Sequence, residues 1–149
     1  YCLMPNHFHL ILYERKEGGI SKFMGKLLTA YSMYFNTKYE RSGPLLTRPF
    51  RSEHIGNESQ YMYIFSYVNL NPLSIIDKKW KKDGIKNKKE AEKYLKQYLF
   101  SSYQDFLEKN NRAEASIIDF SMVPEYIKDI KLDFETQEQL FLENKTSSV

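Results

Sequence analysis

The stretch Met4-Pro5-Asn6-His7-Phe8-His9-Leu10-Ile11-Leu12 decides how this 149-residue chain begins to fold. From Cys2 to Tyr13 the residues are mostly apolar. His7, His9, Ile11 and Tyr13 fall on one side of an extended backbone, and Phe8, Leu10 and Leu12 on the other. This alternation predicts one β-strand over residues 2–13. Histidines two apart on a strand point to the same side of the sheet, which suits two cis ligands on one metal ion and equally a hydrogen-bonded surface pair. Two imidazoles alone do not complete a coordination site. The chain opens on Tyr1, inside the expected strand, and so reads as a fragment or processed product.

Beyond the strand, Gly18-Gly19 breaks the alternation and Ser21 offers an N-cap. Ile20, Phe23, Met24, Leu27, Leu28, Tyr31 and Phe35 then recur at helical spacing to about Lys38, predicting an amphipathic helix that covers the sheet. Ser42-Gly43-Pro44 marks a turn, and Phe50 to Ile55 reads as a short second strand. Asn57 caps a second helix with Gln60 in the capping-box position, and Tyr61, Ile64, Phe65 and Val68 form its apolar stripe. That helix is expected to close at Asn71-Pro72, because the residue before proline avoids the helical region. Further helices are predicted over about 88–100, 102–108, 124–130 and 135–143, with the last five residues disordered. The chain carries no internal repeat and no low-complexity tract.

Apolar residues make up 42% and charged residues 28%, the balance of one globular domain rather than a disordered tail or a fibrous repeat. The lone Cys2 excludes a disulfide framework and points to a reducing, intracellular setting. No apolar run reaches the roughly 18 residues of a membrane span. Aromatic content is high, with 12 Tyr, 10 Phe and 1 Trp, and a tyrosine surplus suits a surface that stacks on or bonds to a ligand as well as ordinary packing. The net charge of +3 hides a split: residues 1–109 carry 18 Lys/Arg against 11 Asp/Glu, whereas residues 110–149 carry 4 against 8. Asp77 to Lys96 holds nine lysines with Trp80 and Tyr94 interleaved, either a phosphate-binding surface or a solvated helix face. Arg48, Arg51, Lys22 and Lys26 are candidate phosphate contacts, with Lys78, Lys79, Lys81 and Lys82 a second group. Aromatic side chains near them could stack unpaired bases.

A second constellation, Tyr67-Val68-Asn69-Leu70-Asn71-Pro72, ends the helix that starts after Asn57. Tyr67 and Asn71 are one turn apart on the same face, so a phenol and a carboxamide oxygen can approach one point. Each also has a plain structural reading, as a rim aromatic and as a C-cap before proline.

In order along the chain, these motifs resemble those of the single-tyrosine HUH transposases, and especially the REP-associated tyrosine transposases. The His-x-His strand is joined by Tyr34-Phe35-Asn36, Gly43-Pro44-Leu45-Leu46, Arg48-Pro49-Phe50-Arg51-Ser52, Tyr67 to Pro72, and Ser101-Ser102-Tyr103, covering about residues 1–108. The resemblance implies an α+β fold: an antiparallel sheet of ferredoxin-like (RRM-like) HUH nuclease type, helices packed on one face, lacking its N-terminal strand and helix. Residues 1–109 would be the transposase-like catalytic domain, and residues 110–149 an acidic, partly helical C-terminal extension. It further implies Tyr67 as the nucleophile and His7, His9 and Asn71 as ligands of Mg²⁺ or Mn²⁺. The implied partner is single-stranded or hairpin DNA, met by a monomer or homodimer that is cytoplasmic, nucleoid-associated and not membrane-bound. One departure is plain: where the family motif continues Asn-Pro with Val-Arg-Ala-Gly, this chain reads Leu73-Ser74-Ile75-Ile76.

The implied reaction is a transesterification. A phenol, with an ordinary pKa of about 10, is a weak nucleophile and needs a neighbour that polarises the phosphodiester. A divalent ion held by two imidazoles and an amide oxygen would act as Lewis acid and template. Attack by Tyr67 would give a 5′-phosphotyrosine and a free 3′-hydroxyl, which can reverse the step and rejoin strands. Tyr61 and Tyr63 are rival nucleophiles without the Asn-Pro context. Two other functions fit the same residues: a catalytically inactive nucleic-acid-binding domain derived from such a transposase, and an unrelated metalloprotein using His7 and His9. The acidic tail is expected to fold back over the basic surface and compete with DNA.

Overall fold

The computed structural model describes residues 1–46, 49–107, 112–128 and 133–145. It is a mixed α+β structure, mostly helical, in two compact units: Tyr1–Ile11 with Ile55–Val149, and Leu12–His54. The first unit begins with a hairpin. β1 (Cys2–Leu3) and β2 (Phe8–His9) pair antiparallel, Cys2 opposite His9 and Leu3 opposite Phe8. The single strand expected over residues 2–13 is therefore two short ones. Pro5 has no N–H to give to a ladder, and the Met4 N–H donates to the His7 carbonyl at 2.8 Å across the Pro5-Asn6 turn. Ser101 bridges Cys2 from the other side, and the Leu3 N–H donates to the Phe100 carbonyl at 2.8 Å. The Ser101-Ser102-Tyr103 motif thus lies beside β1.

In the second unit, α1 (Gly19–Lys38) starts without the expected Ser21 cap. Gly18 enters it in the left-handed conformation (φ 71°), which glycine adopts without a Cβ penalty, and Glu14 Oε1 accepts from the Ile20 N–H at 3.1 Å. The apolar stripe is only partly covered: Met24 is buried, but Phe23, Leu27 and Tyr31 are exposed. Asn36 holds the following turn, donating from Nδ2 to the Gly43 carbonyl (2.9 Å) and accepting at Oδ1 from Arg41 (3.0 Å). The strand expected over residues 50–55 does not form. Pro49 withholds a donor at its start, and Arg51 to His54 are all exposed, so no apolar face draws the segment onto a sheet.

Back in the first unit, α2 (Glu58–Leu70) is capped as its sequence dictates, with Asn57 Oδ1 accepting from the Gln60 N–H at 2.8 Å. Gln60 Oε1 reaches the Gly56 N–H at 2.8 Å, one residue upstream of the usual capping-box partner. Helix α2 closes where expected, with Asn71 as its C-cap, but not by an extended residue before the proline. Asn71 and Pro72 both take right-handed helical dihedrals and α3 (Leu73–Ile76) follows at once, proline being tolerated at a helix start because its missing donor is an orphan there anyway. The chain continues through α4 (Trp80–Asp83), α5 (Lys88–Gln97), α6 (Tyr103–Leu107), two 3₁₀ turns (Ala113–Ile117 and Phe120–Met122), α7 (Glu125–Lys128) and α8 (Phe134–Asn144).

Helix α8 runs antiparallel along α2: Ser59 Oγ donates to Asn144 Oδ1 at 2.6 Å near one end, and the Tyr63 ring stacks on Phe141 at 5.3 Å further along. One core cluster joins Leu70, Leu73, Trp80, Leu95, Tyr103, Phe134 and Phe141; a second joins Phe65, Val123, Ile127 and Leu140. The buried Asp105 carboxylate is gripped by Arg112 through Nε (2.8 Å) and Nη2 (2.7 Å), a bidentate, charge-assisted pair that ties Arg112 to α6. Of the last five residues, Lys145 follows α8 and residues 146–149 lie outside the described residues. Among the described residues, no helix is long and apolar enough to cross a membrane.

Phe141 touches both Tyr63 and Trp80, so Phe141→Ala removes a ring that packs α8 against both α2 and α4. It is expected to cost about 3–5 kcal/mol in urea unfolding and to shift the emission of Trp80, the chain's one tryptophan, to longer wavelength.

Candidate active site

Three elements of the first unit converge beside the end of α2. β2 carries His9, the last turn of α2 carries Tyr67 with Asn71 just beyond it, and α4 carries Lys81. The His9 ring meets the Tyr67 ring edge-on, with centroids 5.4 Å apart. His7 and His9 stand edge to face at 5.0 Å, so the two imidazoles do share one side. His7, however, sits in the turn before β2 and is exposed, with its Nδ1 2.7 Å from Asn6 Oδ1. Lys81 donates from Nζ to the Tyr67 hydroxyl at 2.9 Å and to Asn71 Oδ1 at 2.8 Å, and its ammonium lies 4.2 Å from the centre of the Tyr67 ring.

Lys81 is fourteen residues beyond Tyr67 and reaches it because α3 and α4 double back. Trp80 makes the return. Its ring is buried 4.9 Å from Phe141, and its indole N–H donates to Ser74 Oγ at 2.9 Å. Lys81 was expected in the second group of phosphate contacts with Lys78, Lys79 and Lys82, which are exposed around α4. The clue to its different place was the neighbouring tryptophan, a large apolar side chain in a basic run that has to be buried somewhere. Lys22 and Lys26 are exposed on α1, and Arg51 is exposed in the same second unit; Arg48 lies outside the described residues.

Burial, then the charges of His7 and Lys81, lower the pKa of His9 from 6.5 to about 4. The imidazole is therefore neutral at physiological pH, with a lone pair to offer. His9 Nε2 and Asn71 Nδ2 are both buried without a hydrogen-bond partner, a state that costs about 1–3 kcal/mol per group. An orphaned, neutral imidazole nitrogen beside a second imidazole fits a metal ligand. The Asn71 oxygen fits less directly, because it already accepts from the Lys81 ammonium. Among the described residues, no group of three or more His, Cys, Asp or Glu converges as a metal centre.

The rival tyrosines are committed to packing. Tyr61 lies against Phe65 and Tyr126, where burial pushes its hydroxyl up to about 12, and Tyr63 lies against Phe141, where burial also raises it. Of the three, Tyr67 is the one held against His9 and Lys81.

Over its first 71 residues the chain is similar to transposases. The family model that matches residues 1–71 is described as Transposase IS200 like, and the matched stretch contains His7, His9 and Tyr67 and ends on Asn71. Lys81 and the helices from α3 onward lie beyond it. No curated protein and no solved structure matches the chain.

His9 gives the metal-free protein an acid-side dependence whose sign follows from its lowered pKa. Between pH 6.5 and about 4 the unfolded chain takes up a proton at this position and the folded chain does not, so the folded state loses stability as pH falls through that window. Urea unfolding with chelator present is expected to show about 2–3 kcal/mol less stability at pH 4 than at pH 7 from this group, and His9→Gln is expected to flatten the profile.

Proposed function

We propose that this chain is a transposase-like, metal-dependent endonuclease and strand transferase that cleaves and rejoins single-stranded or hairpin DNA, with Tyr67 as nucleophile. The observation that carries the reading is the Tyr67 site itself. Tyr67 has its hydroxyl on a lysine ammonium and its ring on a half-buried neutral histidine, with Asn71 bound to the same lysine. The match to IS200-like transposases over the residues that build most of this site supports it.

In the cleavage step the Tyr67 Oη–P bond forms as the P–O3′ bond breaks, leaving a 5′-phosphotyrosine and a 3′-hydroxyl. The proton given up by the phenol is balanced by the one the 3′-oxygen takes up. The energy of the broken phosphodiester is kept in the new ester, so the 3′-hydroxyl can attack in reverse and rejoin strands. His7, His9 and Asn71 would hold Mg²⁺ or Mn²⁺, which when bound supplies Lewis-acid polarisation of the phosphate. A His9 kept neutral meets the requirement that an imidazole ligand be deprotonated. Lys78, Lys79 and Lys82, with Lys22, Lys26, Arg48 and Arg51, would contact phosphates of the flanking strand, contacts that position DNA without reading its sequence.

On this reading β1 and β2 belong to the antiparallel, ferredoxin-like sheet of the HUH enzymes, and the order of the sequence motifs favours the REP-associated group, acting as monomer or homodimer at the nucleoid. Residues 1–109 would do the chemistry, and residues 110–149 would form the extension. Glu138 of that extension meets Lys88 of the basic run at 2.7 Å. A second reading, a catalytically inactive DNA-binding derivative, is favoured by one observation: the Asn71 oxygen meant for the metal is already bonded to Lys81.

Incubating the full chain with labelled single-stranded hairpin DNA and Mg²⁺ or Mn²⁺ separates the two. The proposed enzyme forms a denaturant-resistant protein–DNA adduct that disappears in Tyr67→Phe and in chelator but survives in Tyr63→Phe. Hairpin binding by the wild type with no adduct under any of these conditions would instead establish the inactive derivative.

A further inference from the structure

Lys81 was expected to be one of several surface cations, and its surroundings differ from theirs. It is half-buried, its Nζ lies within hydrogen-bond reach of the Tyr67 hydroxyl and of Asn71 Oδ1, and both partners are neutral oxygens. Among the described residues no carboxylate pairs with it. Its backbone is held on both sides: Trp80 is pinned in the core, and the Lys81 carbonyl accepts from Lys145 Nζ at 2.6 Å. An ammonium has three donors, and two are in use.

We propose that Lys81 is a catalytic residue of the tyrosine site, holding the reacting oxygen of Tyr67 and carrying the negative charge that develops on it, with its third donor directed to the DNA phosphate. The proposal rests on Tyr67 being the nucleophile. In cleavage, the Oη–P bond forms, the P–O3′ bond breaks, and the phenolic proton is lost to solvent while the 3′-oxygen gains one. In rejoining, the P–Oη bond breaks and Oη leaves with the electron pair, at the atom the ammonium already touches. A fixed donor aimed at the place where charge appears lowers the barrier in both directions, because it needs no reorganisation at the moment of reaction. Lys78, Lys79 and Lys82 touch no reacting atom and would act on binding alone.

Single-turnover adduct formation and equilibrium hairpin binding, measured on the full chain, separate these roles. Lys81→Met is expected to slow adduct formation at saturating DNA about 100-fold, with hairpin affinity changed less than about threefold. Lys81→Arg, which keeps the charge and the donors, is expected to recover at least about tenfold of that loss. It also carries the test should Lys81→Met fail to fold. Lys82→Ala is expected to weaken hairpin binding, the loss that a contact to the DNA backbone alone gives. Lys81→Met reacting at the wild-type rate, or losing only affinity as Lys82→Ala does, would overturn the assignment of Lys81 alone. Absence of any adduct with the wild type would overturn the nucleophile reading beneath it.

Discussion

Trp80 stands in a run of lysines and is nonetheless almost wholly buried, with its ring against Phe141 and its indole N–H on Ser74. Burying a tryptophan without a partner for its N–H would leave a polar group unsatisfied, and Ser74 removes that cost. The consequence reaches the candidate site directly. With Trp80 pinned inward, α4 is turned so that the next residue, Lys81, reaches Tyr67 and Asn71. Phe141 comes from α8, so a helix near the end of the chain sets the position of a cation beside a tyrosine on α2. The stretch similar to IS200-like transposases stops at Asn71, which makes the Lys81 side of the site a property of the remainder of the chain.

The electrostatics follow from that placement. Burial disfavours a positive charge on the half-buried imidazole, and His7 and then the Lys81 ammonium disfavour it further, so His9 stays neutral. The site therefore holds one fixed cation, two imidazoles and a carboxamide, and no carboxylate is needed to balance them as long as an anion is the ligand. That charge pattern suits a phosphodiester better than a neutral or cationic substrate.

What could be read from the sequence was local. The Asn57 cap, the shared face of Tyr67 and Asn71, and the approach of His7 to His9 depend on spacings of two to four residues, and each is present. The hairpin was misread as one strand because residues 2–13 are mostly apolar on either side of Pro5-Asn6, although Pro5 cannot donate to a ladder. The Ser21 cap was misplaced because Glu14, outside the helix, satisfies the Ile20 N–H from six residues upstream. The second strand failed because β-like residues without an apolar face have nothing to bury. Lys81 could not be assigned by spacing at all, since its contact with Tyr67 depends on two short helices and the burial of Trp80 between them.

The dispute over Asn71 has a physical resolution within the proposed function. A carboxamide oxygen has two lone pairs, so accepting from Lys81 leaves one free for a metal ion. Two cations on one oxygen nevertheless repel, and the repulsion is larger in a half-buried site than in water. A bound DNA phosphate would offset part of that penalty, because its negative charge attracts both cations. Metal and DNA would on this account assist each other's binding.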